Sequence, residues 1–85
     1  MIRLNLMDDG AVWCADHINI HHKMLKPPLG HDFLRADRFD LNHYFMMGTV
    51  ESIAVHGHIS EELAERLVGL LAPGGIIYEF SKATD

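Results

Sequence analysis

The chain has 85 residues, of which 48% are hydrophobic and 22% charged. That length holds one domain, residues 1–85, and that composition excludes disorder, collagen and coiled coil. Seven Lys and Arg against twelve Asp and Glu leave a net charge of −5, which argues against direct nucleic-acid or anionic-membrane binding.

The cations Arg3, Lys23, Lys26, Arg35, Arg38, Arg66 and Lys82 are scattered, and only Arg35 and Arg38 are close enough to share a patch. An acidic surface suits a basic protein partner. Cys14 is the sole cysteine, so no internal disulfide forms. A small secreted domain would carry several bridges. No segment reads as a signal peptide or approaches the ~20 apolar residues of a membrane span. The expected setting is cytoplasmic and soluble. Protonating all seven histidines would turn −5 into +2, so the chain crosses zero charge in mildly acidic solution.

Along the chain, Ile2, Leu4 and Leu6 alternate with Arg3, Asn5 and Met7, the period of a half-buried strand. Asp8-Asp9-Gly10 has the composition of a hairpin turn, so Ala11–Ile20 reads as an antiparallel second strand. Asp16 breaks its alternation and calls for a bulge, or for a helix starting there. Pro27-Pro28 stops that element. Leu29–Asp40 reads as an irregular connection anchored by Phe33, Leu34 and Phe39. Leu41–Met47 could be a short helix between Asp40 and Gly48, or a strand. Thr49–His58 is β-branched and alternating, hence a strand. Ser60 caps the strongest helix, with Glu61 and Glu62 in its first turn and a stripe of Leu63, Leu67, Leu70 and Leu71. Pro73-Gly74-Gly75 ends it, Ile76–Phe80 is a last strand, and Ser81–Asp85 a polar tail. The expected fold is α+β: a small, mostly antiparallel sheet of about four strands, with one main helix (residues 60–72) on one face.

Three functional readings follow. The leading one is a protein-interaction module, a regulator or inhibitor that binds a larger protein, where a basic surface would suit. Its contact residues are Trp13, Phe33, Arg35, Arg38, Phe39 and Tyr44, because aromatics and arginine dominate interface cores. A homodimer through an uncovered edge or face is expected as well. The second reading is a site for zinc or another divalent transition metal. On a strand, His56 and His58 would share a face, and His17 and His21 pair up in either a strand or a helix. The third is a small enzyme with a histidine acid or base, for which no nucleophile elbow, phosphate loop or paired-cysteine motif offers support.

Overall fold

The computed structural model describes residues 1–80; the expected polar tail, 81–85, lies outside them. The elements run β1 (Ile2–Leu6), β2 (Ile18–His21), β3 (Asp32–Arg35), a 3₁₀ turn (Leu41–His43), β4 (Val50–His56), α1 (Glu61–Leu70) and β5 (Leu71–Phe80). The strands form one sheet in the order β3-β2-β1-β4-β5, and every pairing is parallel.

The expected antiparallel, four-stranded sheet is therefore wrong in direction and in strand number. Asp8-Asp9-Gly10 does make a turn: the Gly10 amide donates to Asp8 Oδ1 at 2.9 Å, the Ala11 amide donates to Asp8 O at 3.0 Å, and Ala11 sits at φ 48°. The turn does not reverse the strand, however. The eleven residues 7–17 carry the chain back along the sheet, so β2 starts beside Leu4 and runs with β1. At about 3.3 Å per residue, eleven residues span far more than five-residue β1 needs. The second strand shrinks from Ala11–Ile20 to Ile18–His21, and β3 emerges inside the expected irregular connection.

One face of the sheet holds the core. Leu4, Leu6, Ile20, Val50, Ile53 and Val55 pack against Leu63, Leu67 and Leu70 of α1 and against Leu41 of the 3₁₀ turn. Ser60 Oγ accepts the Leu63 amide at 3.1 Å, satisfying a donor that the first helical turn leaves free. Asp40 makes no such side-chain cap, and its segment stays a single 3₁₀ turn.

The helix passes into β5 without a loop, so Pro73-Gly74-Gly75 lies inside the strand instead of closing the helix. Between the pairs Val50↔Leu71 and Ser52↔Ile76 the register shifts, and β5 bulges. A Cβ on Gly75 would stand 2.9 Å from Ala72 O and 3.0 Å from Val50 O, which backbone atoms cannot accommodate; hence the glycine.

Gly69 is a different case. A Cβ there meets the end of the Met47 side chain, at 2.8 Å from its Cε, and Met47 is exposed and free to move. Removing a glycine from a helix interior gains about 0.5–1 kcal/mol. Gly69→Ala is accordingly expected to raise the unfolding free energy by that amount, seen as a higher urea midpoint at unchanged slope; a loss of stability would show that Met47 is held in place.

Candidate functional site

The second face of the sheet carries two buried polar side chains, Asn5 and Asn19. Parallel sheets ordinarily bury both faces. Here the second face is covered over β1–β2 only, by residues 12–17, and lies open over β4–β5. Four register pairs in a row place Phe33, Asn19, Asn5, Ala54 and Tyr78 side by side across all five strands.

Asn5 and Asn19 are buried in that row, at 1% and 0% exposure, and each is fully used. Asn19 Nδ2 donates to the carbonyls of Cys14 (2.9 Å), His17 (3.3 Å) and Asp32 (3.0 Å). Its Oδ1 accepts from the Cys14 amide at 2.8 Å and from Asn5 Nδ2 at 2.7 Å. Asn5 Nδ2 also donates to Val12 O at 2.8 Å. The two amides thus pin the 12–17 segment down on the sheet. With its nitrogen committed as donor, Asn5 offers Oδ1 to the His56 Nε2–H, 3.1 Å away. His56 in turn stacks on Phe80, with centroids 5.2 Å apart and planes at 19°.

Between the pinned segment and β4–β5 lies a concavity of about 530 Å³, lined by Asn5, Val12, Trp13, Cys14, His17, Ala54, His56, Tyr78 and Phe80. Its walls are mostly apolar, with Trp13, Tyr78 and Phe80 among them, and no lysine, arginine, aspartate or glutamate lines it. Cys14 Sγ and His17 Nδ1 meet at 2.9 Å on its rim. The thiol therefore belongs to a polar pair in a loop, outside the second strand, which starts only at Ile18.

The strand order marks a neighbouring place, the carboxyl ends of β1 and β4, which meets the concavity at His56. The chain leaves β1 toward β2 and leaves β4 toward β5, in opposite directions along the sheet. Open parallel sheets bind ligands at such a switch point, beyond the carboxyl ends of the strands. Here Arg38 bridges the two strand ends: Nη2 donates to Met7 O at 3.0 Å and Nη1 to His56 O at 3.3 Å. Burial pulls its pKa below the ordinary guanidinium value, against the opposing pull of Asp8 and Asp37. At the other end of the same face, a hydrogen bond to Glu51 holds exposed Arg3 above that value.

The expected contact residues divide. Trp13 and Phe33 stand together, centroids 5.6 Å apart, and Arg35 lies on the same strand as Phe33, donating to His22 O at 3.2 Å. Phe39 packs against the core, Arg38 is engaged at the strand ends, and Tyr44 is exposed beside the 3₁₀ turn. They do not form one patch.

The expected metal ligands divide too. β4 ends at His56, and Gly57 turns the chain at φ 101°, so His56 and His58 do not share a strand face, and His58 is exposed. His17 contacts Cys14. His21 is buried, accepts the Lys23 amide at Nδ1 (3.0 Å) and stacks on His22. Among the described residues no three His, Cys, Asp or Glu side chains are grouped to hold a metal ion.

Sequence reasoning passed over Asn5, Asn19, Tyr78 and Phe80. The signal for the two amides was present: Leu4-Asn5-Leu6 and Ile18-Asn19-Ile20 both set an asparagine between aliphatic residues of a strand. No helix among the described residues is long and apolar enough to cross a membrane. In comparisons with known proteins, no family model matches the chain, and no curated protein or solved structure matches it.

Proposed function

We propose that the chain binds a small, uncharged, planar ring compound in the concavity between residues 12–17 and β4–β5. The observation that carries this reading is the fully satisfied Asn5–Asn19 network, which holds Trp13 and His17 over an otherwise open sheet and orients His56 toward the hollow. A volume of about 530 Å³ falls within the range of ligand pockets, which combine apolar walls with a few placed polar groups. Trp13, Tyr78, Phe80 and His56 supply faces and edges for ring stacking. No lysine or arginine in the lining offers phosphate and carboxylate groups a permanent counter-ion, so anionic ligands would lose hydration with little compensation.

Trp13 is the sole tryptophan, so its indole N–H resonance reports directly on the site. Quinoline and naphthalene should shift it saturably, and their sulfonated derivatives should not. Ala54→Phe, which fills the floor, should abolish the shift. Equal responses to charged and uncharged probes, or an unchanged response in the filled variant, would refute the reading.

A second reading, of a module that regulates a larger protein by docking on it, draws on a different observation. Ile76, Tyr78 and Phe80 are 51%, 48% and 52% exposed, and a row of half-exposed apolar side chains marks an interaction surface. Under that reading Ile76→Glu, on that row but outside the lining of the concavity, releases a protein partner while ring probes still bind.

A further inference from the structure

β5 is the outer strand of the sheet on the β4 side. The Gly57 amide, at the end of β4, donates to Phe80 O at 3.2 Å, so the peptide groups of Phe80, and by alternation those of Tyr78 and Ile76, face β4. The N–H and C=O groups of Ile77 and Glu79 then face outward, where no strand pairs with them among the described residues. Such an edge is a template for another strand unless it is short, charged or interrupted. The opposite edge meets those conditions. β3 has four residues, and both its first and last, Asp32 and Arg35, are charged and exposed. The edge of β5 meets them only in its first half, where Pro73 and the bulge before Ile76 interrupt it; the last five residues, Ile76-Ile77-Tyr78-Glu79-Phe80, run in regular register with β4 and carry one charge.

We infer that two copies of the chain join by antiparallel pairing of their β5 edges about a two-fold axis at Ile77, making one ten-stranded sheet. Hydrogen-bond parity and charge select both the occupant and the register. Outward-facing residues must oppose outward-facing residues, which allows Ile77 opposite Ile77, Ile77 opposite Glu79, or Glu79 opposite Glu79. The last sets two carboxylates about 5 Å apart and is disfavoured. The second sets a carboxylate against an isoleucine on the α1 side of the sheet. The first matches throughout: Ile77 meets Ile77 on the helix side, Tyr78 meets Ile76 of the second copy on the open side, and Glu79 meets Gly75. Pairing β5 with β3 of another copy would match an apolar strand to a charged one and would leave edges free for further growth. In the two-fold arrangement Ile76 of the second copy stands beside Tyr78, next to the concavity, and covers part of the half-exposed row. The inference does not depend on what the concavity binds.

Light scattering with size-exclusion chromatography should give twice the 9.6 kDa chain mass at high micromolar concentration. Glu79→Pro removes an outward N–H and leaves the β4 ladder donors in place, so it should give the single-chain mass with a folded circular-dichroism spectrum. A wild-type protein of single-chain mass, or a folded Glu79→Pro variant of double mass, overturns the pairing. Should the variant fail to fold, amide exchange in the wild type decides. The Ile77 and Glu79 amides should be protected, and more so as concentration rises, while exchange at the rate of free amides at every concentration overturns the inference.

Discussion

Asn19→Leu should lower the melting temperature by ~15 °C or more, since each kcal/mol lost costs about 4–8 °C in a domain of this size. The side chain is fully buried and makes five hydrogen bonds. Leucine fills a similar volume but leaves the Cys14 amide, one Asn5 donor and three carbonyls without that partner. Each polar group stranded away from water costs about 1–3 kcal/mol. Some of these groups regain water as the 12–17 segment lifts, so a total of about 3–5 kcal/mol is reasonable. A domain this small holds only about 4–13 kcal/mol in all. The same substitution should free Trp13, seen as a red shift and increased quenching of its fluorescence below the unfolding transition. Thermal melts by circular dichroism give the first result and emission spectra the second. A fall of only a few degrees with unchanged emission would mean that the apolar contacts of Trp13 with Phe33, rather than the amide network, hold the segment down.

Arg38→Met is the second large effect expected, about 2–3 kcal/mol from two charge-assisted hydrogen bonds. The guanidinium closes the gap between the ends of β1 and β4, where the chain departs in opposite directions and no backbone ladder continues. Its two N–H groups reach Met7 O and His56 O at once; methionine keeps the volume and removes both donors. Arg38→Lys restores one donor at a time and should recover part of the loss. Because His56 sits at one of the bridged ends, the Arg38→Met protein should also show displaced amide resonances at His56 and Gly57. If methionine and lysine variants melt together with the wild type, the bridge contributes nothing, and the strand ends are held by packing alone.

These two residues also mark how far the site could be read in advance. Arg38 drew notice as a cation near Arg35 and was assigned to a surface patch, because sequence proximity cannot show that a guanidinium folds inward across two strand ends. Asn19 drew none, since a lone asparagine in a short strand resembles a solvent-facing residue. Only pairing it in register with Asn5 makes both buried and mutually satisfied. The histidines were read as a cluster from their number and spacing. Gly57 separates His56 from His58 by ending the strand, and His21 turns into the interior. Trp13 and Phe33 were chosen as exposed anchors, and they do meet, over a connection that carries the chain from one parallel strand to the next.

Local composition determined what local forces control. The alternation of Ile2, Leu4 and Leu6, the β-branched run into Val55, and the Ser60 cap above Leu63, Leu67 and Leu70 each state how one segment buries its apolar side, and burial within a segment depends on its own periodicity. Strand direction, strand order and the uncovered half of the sheet were decided by the tertiary structure. Period-2 alternation is the same for parallel and antiparallel neighbours, and a turn such as Asp8-Asp9-Gly10 does not specify how far the chain travels before the next strand begins. The pairing of Asn5 with Asn19, 14 residues apart, and of Asn5 with His56, 51 residues apart, exists only once the strands lie side by side. The candidate site is built from those long-range pairings.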